Sequence, residues 1–186
     1  MTGAPILLRA ATRERRPWKN GGGRTSDVVV FPAGSGLDDF AWRISIADVE
    51  ADGPFSVFPM AERHIVILAG TLRLRFDDRD RILSAGDAPF SFPGAAPVTG
   101  HPVDGPARDL NLMVRTDRCD GHLRIIAPGQ ARAGSPVTIV VAPRAATVTV
   151  DGATFALDAE DALLLLGPAD IDSASPLILA ELRPIA

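Results

Sequence analysis

The 186-residue chain has one cysteine, one lysine, no tyrosine and no long unbroken apolar run. A lone Cys119 excludes a disulfide framework and a thiolate metal cluster. The longest uncharged stretch, Ala88 to Val103, carries four prolines and His101, so it cannot cross a membrane as a helix. Pro5-Ile6-Leu7-Leu8 meets Arg9 too soon for a signal-peptide core, which points to a cytoplasmic protein. Excess charge is small too: 19 Lys plus Arg against 23 Asp plus Glu leaves a net −4. That balance argues against nonspecific binding to nucleic acid or to an anionic membrane surface. What the chain has in plenty is punctuation, 17 glycines and 16 prolines, about 18% where about 12% is usual. Long helices cannot survive such interruption, yet 46% of the residues are apolar and can fill a core. The composition predicts a many-turned all-β protein.

Alternation of period two supports this along the whole length. Trp42, Ile44 and Ile46 share one strand face, and Arg43, Ser45 and Ala47 share the other. His64 to Leu68 is an apolar strand that Ala69-Gly70 is expected to stop, with Leu72, Leu74 and Phe76 returning antiparallel after the turn. Short strands are predicted at Ile82-Leu83, Phe90 to Pro93 and Leu110 to Val114. In the last third, Val137 to Val141 is a strand, and Val148 and Val150 lead through Asp151-Gly152 into Phe155 and Leu157, a hairpin signal. Leu163 to Leu166 then runs into Gly167-Pro168. The spacing from Asp87 to Pro93-Gly94 nearly equals that from Asp161 to Gly167-Pro168, so one strand pattern occurs twice. Such a duplication suits two antiparallel barrels in one chain. The best candidate for a helix is a short one, Ala10 to Arg16, ended by Pro17.

Three segments resemble the HutD/Ves family, in its order and spacing. They are Trp18-Lys19-Asn20-Gly21-Gly22-Gly23-Arg24-Thr25; Phe40 to Ala47 continuing through Gly53-Pro54-Phe55-Ser56 to Phe58-Pro59 and Glu62-Arg63; and Asp109 to Arg115. The resemblance implies an RmlC-like bicupin, two double-stranded antiparallel β-barrels (jelly rolls) in one bacterial chain. An N-terminal lobe over 1–120 would hold the motifs, and a C-terminal lobe over 121–186 would share strands with the N-terminal segment. It also implies a link to histidine utilisation, or to stress and cold response in the Ves branch.

Metal-dependent cupins hold their ion with a His pair and a carboxylate on neighbouring strands and a later His. Counting back from Gly70 puts Arg63 where that carboxylate would stand; Ser56 to Pro59 and Ala95 to Val98 hold no histidine. The expected site therefore has no metal and no cofactor. His64 is read as a satisfied core histidine, and His101 and His122 as surface residues.

The pocket expected instead is cationic and polar. Arg43 and Arg63 are assigned to clamp a carboxylate, with Lys19, Asn20, Ser45, Ser56 and Asn111 completing the ligand-binding set. Gly21-Gly22-Gly23 would let the backbone pass close to the ligand, or simply form an irregular strand start. The arginines could equally brace the barrel by pairing with Asp109, Asp48 or Glu62, and the sequence does not say which face of the Arg43 strand looks inward. The implied partner is a small anionic metabolite, with urocanate and formylglutamate suggested by the resemblance, and there is room for a homodimer. An alternative is a metal-independent isomerase or hydrolase using Asp109 or His64, although a neighbouring arginine would depress the Asp109 pKa. A third is a pure interaction protein with no small-molecule affinity.

Overall fold

The computed structural model describes residues 3–18 and 21–185. The chain opens with strand β1 (Ile6–Leu8) and a single 3-10 turn, Ala10–Thr12, so the predicted short helix shrinks to one turn. Arg16 and Pro17 already belong to strand β2 (Arg16–Pro17). There follow β3 (Gly23–Phe31), β4 (Trp42–Val49), β5 (Gly53–Pro54), β6 (Ala61–Arg75), β7 (Asp80–Ser84), β8 (Phe90–Pro93) and β9 (Thr99–Arg115). The remaining strands are β10 (Cys119–Ile126), β11 (Gly129–Ala133), β12 (Val137–Val141), β13 (Ala146–Val150), β14 (Ala153–Leu157), β15 (Ala162–Leu166), β16 (Ala169–Ser173) and β17 (Leu177–Pro184). The fold is the all-β, cupin-type jelly roll, built twice, with hydrogen-bonded sheets that remain open rather than closing into complete barrels. Among the described residues, no helix is long and apolar enough to cross a membrane.

Two compact units form, 14–118 and the remainder on both flanks of it. In the first, the sheet runs β2-β3-β4-β9-β6-β7, with β5 on β9 and β8 on β6. The long strand β6 departs from the expected turn at Ala69-Gly70. It continues in the same direction for 15 residues, and β9 pairs with it throughout, from Ala61↔Arg115 to Arg75↔Thr99. Ala69-Gly70 is a bulge, where the register slips between Ile67 and Thr71. Gly70 has φ +73°, and a Cβ there would lie 2.6 Å from the Pro106 carbonyl oxygen, so both the bend and the closeness of β9 require glycine. The reversal falls to residues 76–79, which lead into β7.

Inside this unit Ile65, Ile67, Leu72, Leu74, Phe55 and Phe92 fill an apolar core. A smaller cluster of Phe40, Ala61 and Met113 lies apart from it. The other face of the sheet is buried as well: Trp42, Ile44, Ile46, Leu110 and Leu112 are nearly or wholly inaccessible.

The second unit stacks β1-β15-β12-β17-β10 and β11-β16-β13-β14 around a core of Val, Leu, Ile and Ala side chains. The hairpin predicted at Asp151-Gly152 forms there, with φ +47° and +85° at the two turn residues. Asp161 is buried in this unit. It accepts from the Ala10 N–H at 2.7 Å, from Arg9 at 2.6 Å and from the Asp158 N–H at 3.0 Å. Burial opposes its charge, but these donors hold its pKa below the usual carboxylate range.

Candidate functional site

The face of β4 that carries Arg43, Ser45 and Ala47 lies opposite Met113, Asn111 and Asp109 of β9, pair by pair. On the other side of β9, Arg63, Ile65 and Ile67 of β6 meet the same three residues. Period two therefore brings one polar patch onto three adjacent strands. Arg43, Ser45, Ala47, Arg63, Asp109, Asn111 and Met113, with Trp18, Thr25, Phe55, Ser56 and Phe58, line a cavity of about 250 Å3, while Ile65 and Ile67 lie in the apolar core. Arg43, Ser45, Ser56, Arg63 and Asn111 of the expected set all line it. Lys19 and Asn20 lie outside the described residues.

Arg63 is the centre of the patch. Its guanidinium is sandwiched between Phe55, 4.8 Å from the ring centroid, and Phe92, at 5.2 Å. Nη2 donates to Asn111 Oδ1 at 2.9 Å and Nη1 to the Ser56 carbonyl at 3.4 Å. Burial pulls its pKa down from the usual arginine value to about 10, with Asp109 opposing and Arg43 adding to the fall. It remains charged at neutral pH.

Asn111 passes the network on, its Nδ2 donating to Asp109 Oδ1. Asp109 is fully buried, and burial raises its pKa to about 7 against the pull of Arg63. The depressed pKa expected from a neighbouring arginine is thus overturned. Taking the carboxylate out of water outweighs the attraction of Arg63.

Arg43 behaves differently. Asp27 Oδ1 accepts from its Nε at 2.6 Å and lies 2.5 Å from its Nη2, so its charge is already matched. Arg108 likewise pairs with Asp48. Neither arginine takes Asp109 as partner in these pairs, and Asp27 is a residue the sequence reasoning missed. Alternation puts Thr25 and Asp27 on one face of β3, but only the β3–β4 register sets them beside Ala47 and Ser45. Trp18 and Phe92 were missed as well. Trp18 Nε1 donates to Thr25 Oγ1 at 2.7 Å and its ring meets Phe55 edge-on at 6.4 Å, forming part of the wall. At Gly23, where β3 starts, a Cβ would overlap the Asp48 carbonyl, so that glycine serves close strand packing.

The histidines stand elsewhere. His64 is buried on the opposite face of β6 from Arg63, with Nδ1 2.6 Å from Ser91 Oγ. His101 belongs to strand β9, rather than a loop, with Nδ1 2.8 Å from Asp52. His122 is exposed, 3.5 Å from Glu181. Among the described residues no three of His, Cys, Asp and Glu gather as a metal site would need. The donor set of the cavity is guanidinium, amide, hydroxyl and one carboxylate, which suits a small anion with polar substituents.

Comparison with known proteins agrees with this architecture. The HutD family model matches residues 10–178. An uncharacterized 21.2 kDa protein in the hutC 3' region of Pseudomonas putida is 42% identical over 120 residues, 63% of this chain and 62% of that one. Protein Ves of Cronobacter sakazakii is 35% identical over 63% of this chain and 66% of its own length. The chain therefore aligns with less than two thirds of either relative. Among solved structures, HutD from Pseudomonas fluorescens SBW25 is 31% identical with a TM-score of 0.85, covering 98% of this chain and all of that one. YlbA of Escherichia coli, 9% identical with a TM-score of 0.73 over 96% of this chain and 90% of its own, shares the fold.

Proposed function

The chain belongs to the HutD family, and from that premise we propose that the cavity of residues 14–118 binds a small carboxylate metabolite without a metal, as a sensor or modulator of histidine catabolism. One observation carries the reading: Arg63, a buried cation held between two aromatic rings, has no carboxylate among its hydrogen-bond partners in the described residues. A brace would be neutralised by a direct ion pair, as Arg43 is by Asp27. A cation held ready for a ligand keeps donors unspent. Ser45, Ser56 and Asn111 would orient the rest of the molecule, and Lys19 and Asn20 remain part of the proposed set. The volume favours a ligand below the roughly 300–1,000 Å3 of typical drug-sized sites. Urocanate and formylglutamate are the candidates to try first, given the hutC-region relative.

Thermal-shift screening of histidine-pathway carboxylates tests this. A ligand at a hundredfold over its Kd stabilises by about 2.7 kcal/mol, several degrees in Tm. The effect should vanish in Arg63→Met. If no carboxylate raises the Tm, the reading is wrong.

The raised Asp109 pKa favours a second reading, a metal-independent isomerase or hydrolase with Asp109 as acid or base. His64 is poorly placed to share that role, since it faces away from the cavity. Turnover of a bound carboxylate, lost without loss of binding in Asp109→Asn, would establish it.

A further inference from the structure

Two residues that line the cavity each carry a buried polar atom with no hydrogen-bond partner among the described residues: Arg63 Nε, a donor, and Asp109 Oδ2, an acceptor. Both side chains are more than nine-tenths buried. Asn111 stands between them and fixes the pattern, taking Arg63 Nη2 on its oxygen and giving its amide to Asp109 Oδ1. The cross-strand neighbours of Asp109 are Ala47 and Ile67, whose side chains offer no donor. Leaving a buried acceptor unmet costs free energy, so Asp109 Oδ2 calls for an N–H or O–H that the described residues do not supply.

Resting on the carboxylate reading above, we propose that the ligand is a carboxylate that also carries an N–H, of an amide or an azole ring, and that Asp109 Oδ2 accepts this N–H while Arg63 holds the carboxylate. Asp109 is then the specificity-determining residue of the site. A ligand bearing only a carboxylate would satisfy Arg63 and set its charge near that of Asp109. A ligand with both groups matches both unmet atoms. Selection of this kind is strong, because the analogue lacking the N–H leaves the buried acceptor unpaired.

The charged groups acting on Asp109 are Arg63 from β6, Arg108 beside it on β9 and Asp48 from β4, the last two paired with one another. With its pKa near 7, Asp109 is an acceptor at pH 8 and carries a proton at pH 6.

N-acetylglycine and acetoxyacetate test the assignment, since they differ only by N–H against O. Titration calorimetry at pH 8 should give binding at least tenfold tighter for N-acetylglycine. The ratio should fall towards one at pH 6, and in Asp109→Asn with both probes still bound. Equal affinities in the wild type at pH 8, both lost in Arg63→Met, would overturn the role of Asp109 and leave the carboxylate site standing. If neither probe binds, the carboxylate reading falls and this inference with it. Should Asp109→Asn fail to fold, the wild-type ratios at the two pH values decide.

Discussion

Arg63→Met separates a ligand-holding arginine from a bracing one. Methionine is unbranched and apolar and stops short of the guanidinium, so it fills part of the same space without a charge. It also removes a charge whose burial is costly. The drop of the Arg63 pKa to about 10 corresponds to about 3 kcal/mol against the charged form. Set against that relief is the lost hydrogen bond to Asn111 at 2.9 Å, the weaker one to the Ser56 carbonyl and the contacts with two rings, about 2–4 kcal/mol together. No buried charge is stranded, because without Arg63 the Asp109 pKa rises further and the group is neutral at pH 7. The two sides nearly cancel. Urea denaturation at pH 7 should show a stability within about 1–2 kcal/mol of the wild type, while carboxylate binding falls at least tenfold. Breaking a true buried ion pair costs about 3–5 kcal/mol. A loss of that size would refute the reasoning and make Arg63 a brace.

Asp109→Asn should change how stability depends on pH. A carboxyl whose folded pKa is raised to about 7 stabilises the fold fully below the unfolded value near 4, and that contribution is lost as pH rises towards 7. The wild type should therefore weaken between about pH 4 and 7 relative to the variant, by a few kcal/mol in order of magnitude; parallel stability curves from denaturant melts would contradict this. Gly70→Ala must accept φ +73° and a Cβ crowded against Pro106, so a loss of about 2–4 kcal/mol is expected in chemical denaturation. An unchanged midpoint would show that the bulge is not pinned there. Cys119 is buried, and burial raises its thiol pKa, so it should react with a disulfide reagent at pH 8 only after unfolding. Fast labelling of the folded protein would contradict that burial.

Local periodicity carried much of this fold, and it failed where one residue type serves two structures. Asp151-Gly152 was legible because two positive φ angles in succession belong to a tight hairpin. Ala69-Gly70 looked the same, yet β9 follows β6 around the bend and makes it a bulge. That distinction depends on a partner more than thirty residues away. Gly100 and Pro102 disguised a strand around His101 for a related reason: Pro102 lies past the two positions that β5 pairs, where a missing N–H is tolerated. In the cavity, period two put Arg43 with Ser45 and Asp109 with Asn111, but it names faces and not neighbours. The Asp27 partner of Arg43 and the Phe92 wall of Arg63 come from the β3–β4 and β6–β8 pairings. The ionisation of Asp109 was misjudged because a sequence shows which charges are near and not how much water is gone.

The central claim, that a carboxylate is held at Arg63, is tested most directly by NMR of the protein labelled with 15N-arginine. The Arg63 Nε–H resonance is identified by its disappearance in Arg63→Met. Titration with urocanate and formylglutamate should move it saturably, as the unmet donor takes a charged acceptor. A resonance that stays in place while these carboxylates are raised to millimolar concentration would contradict the account.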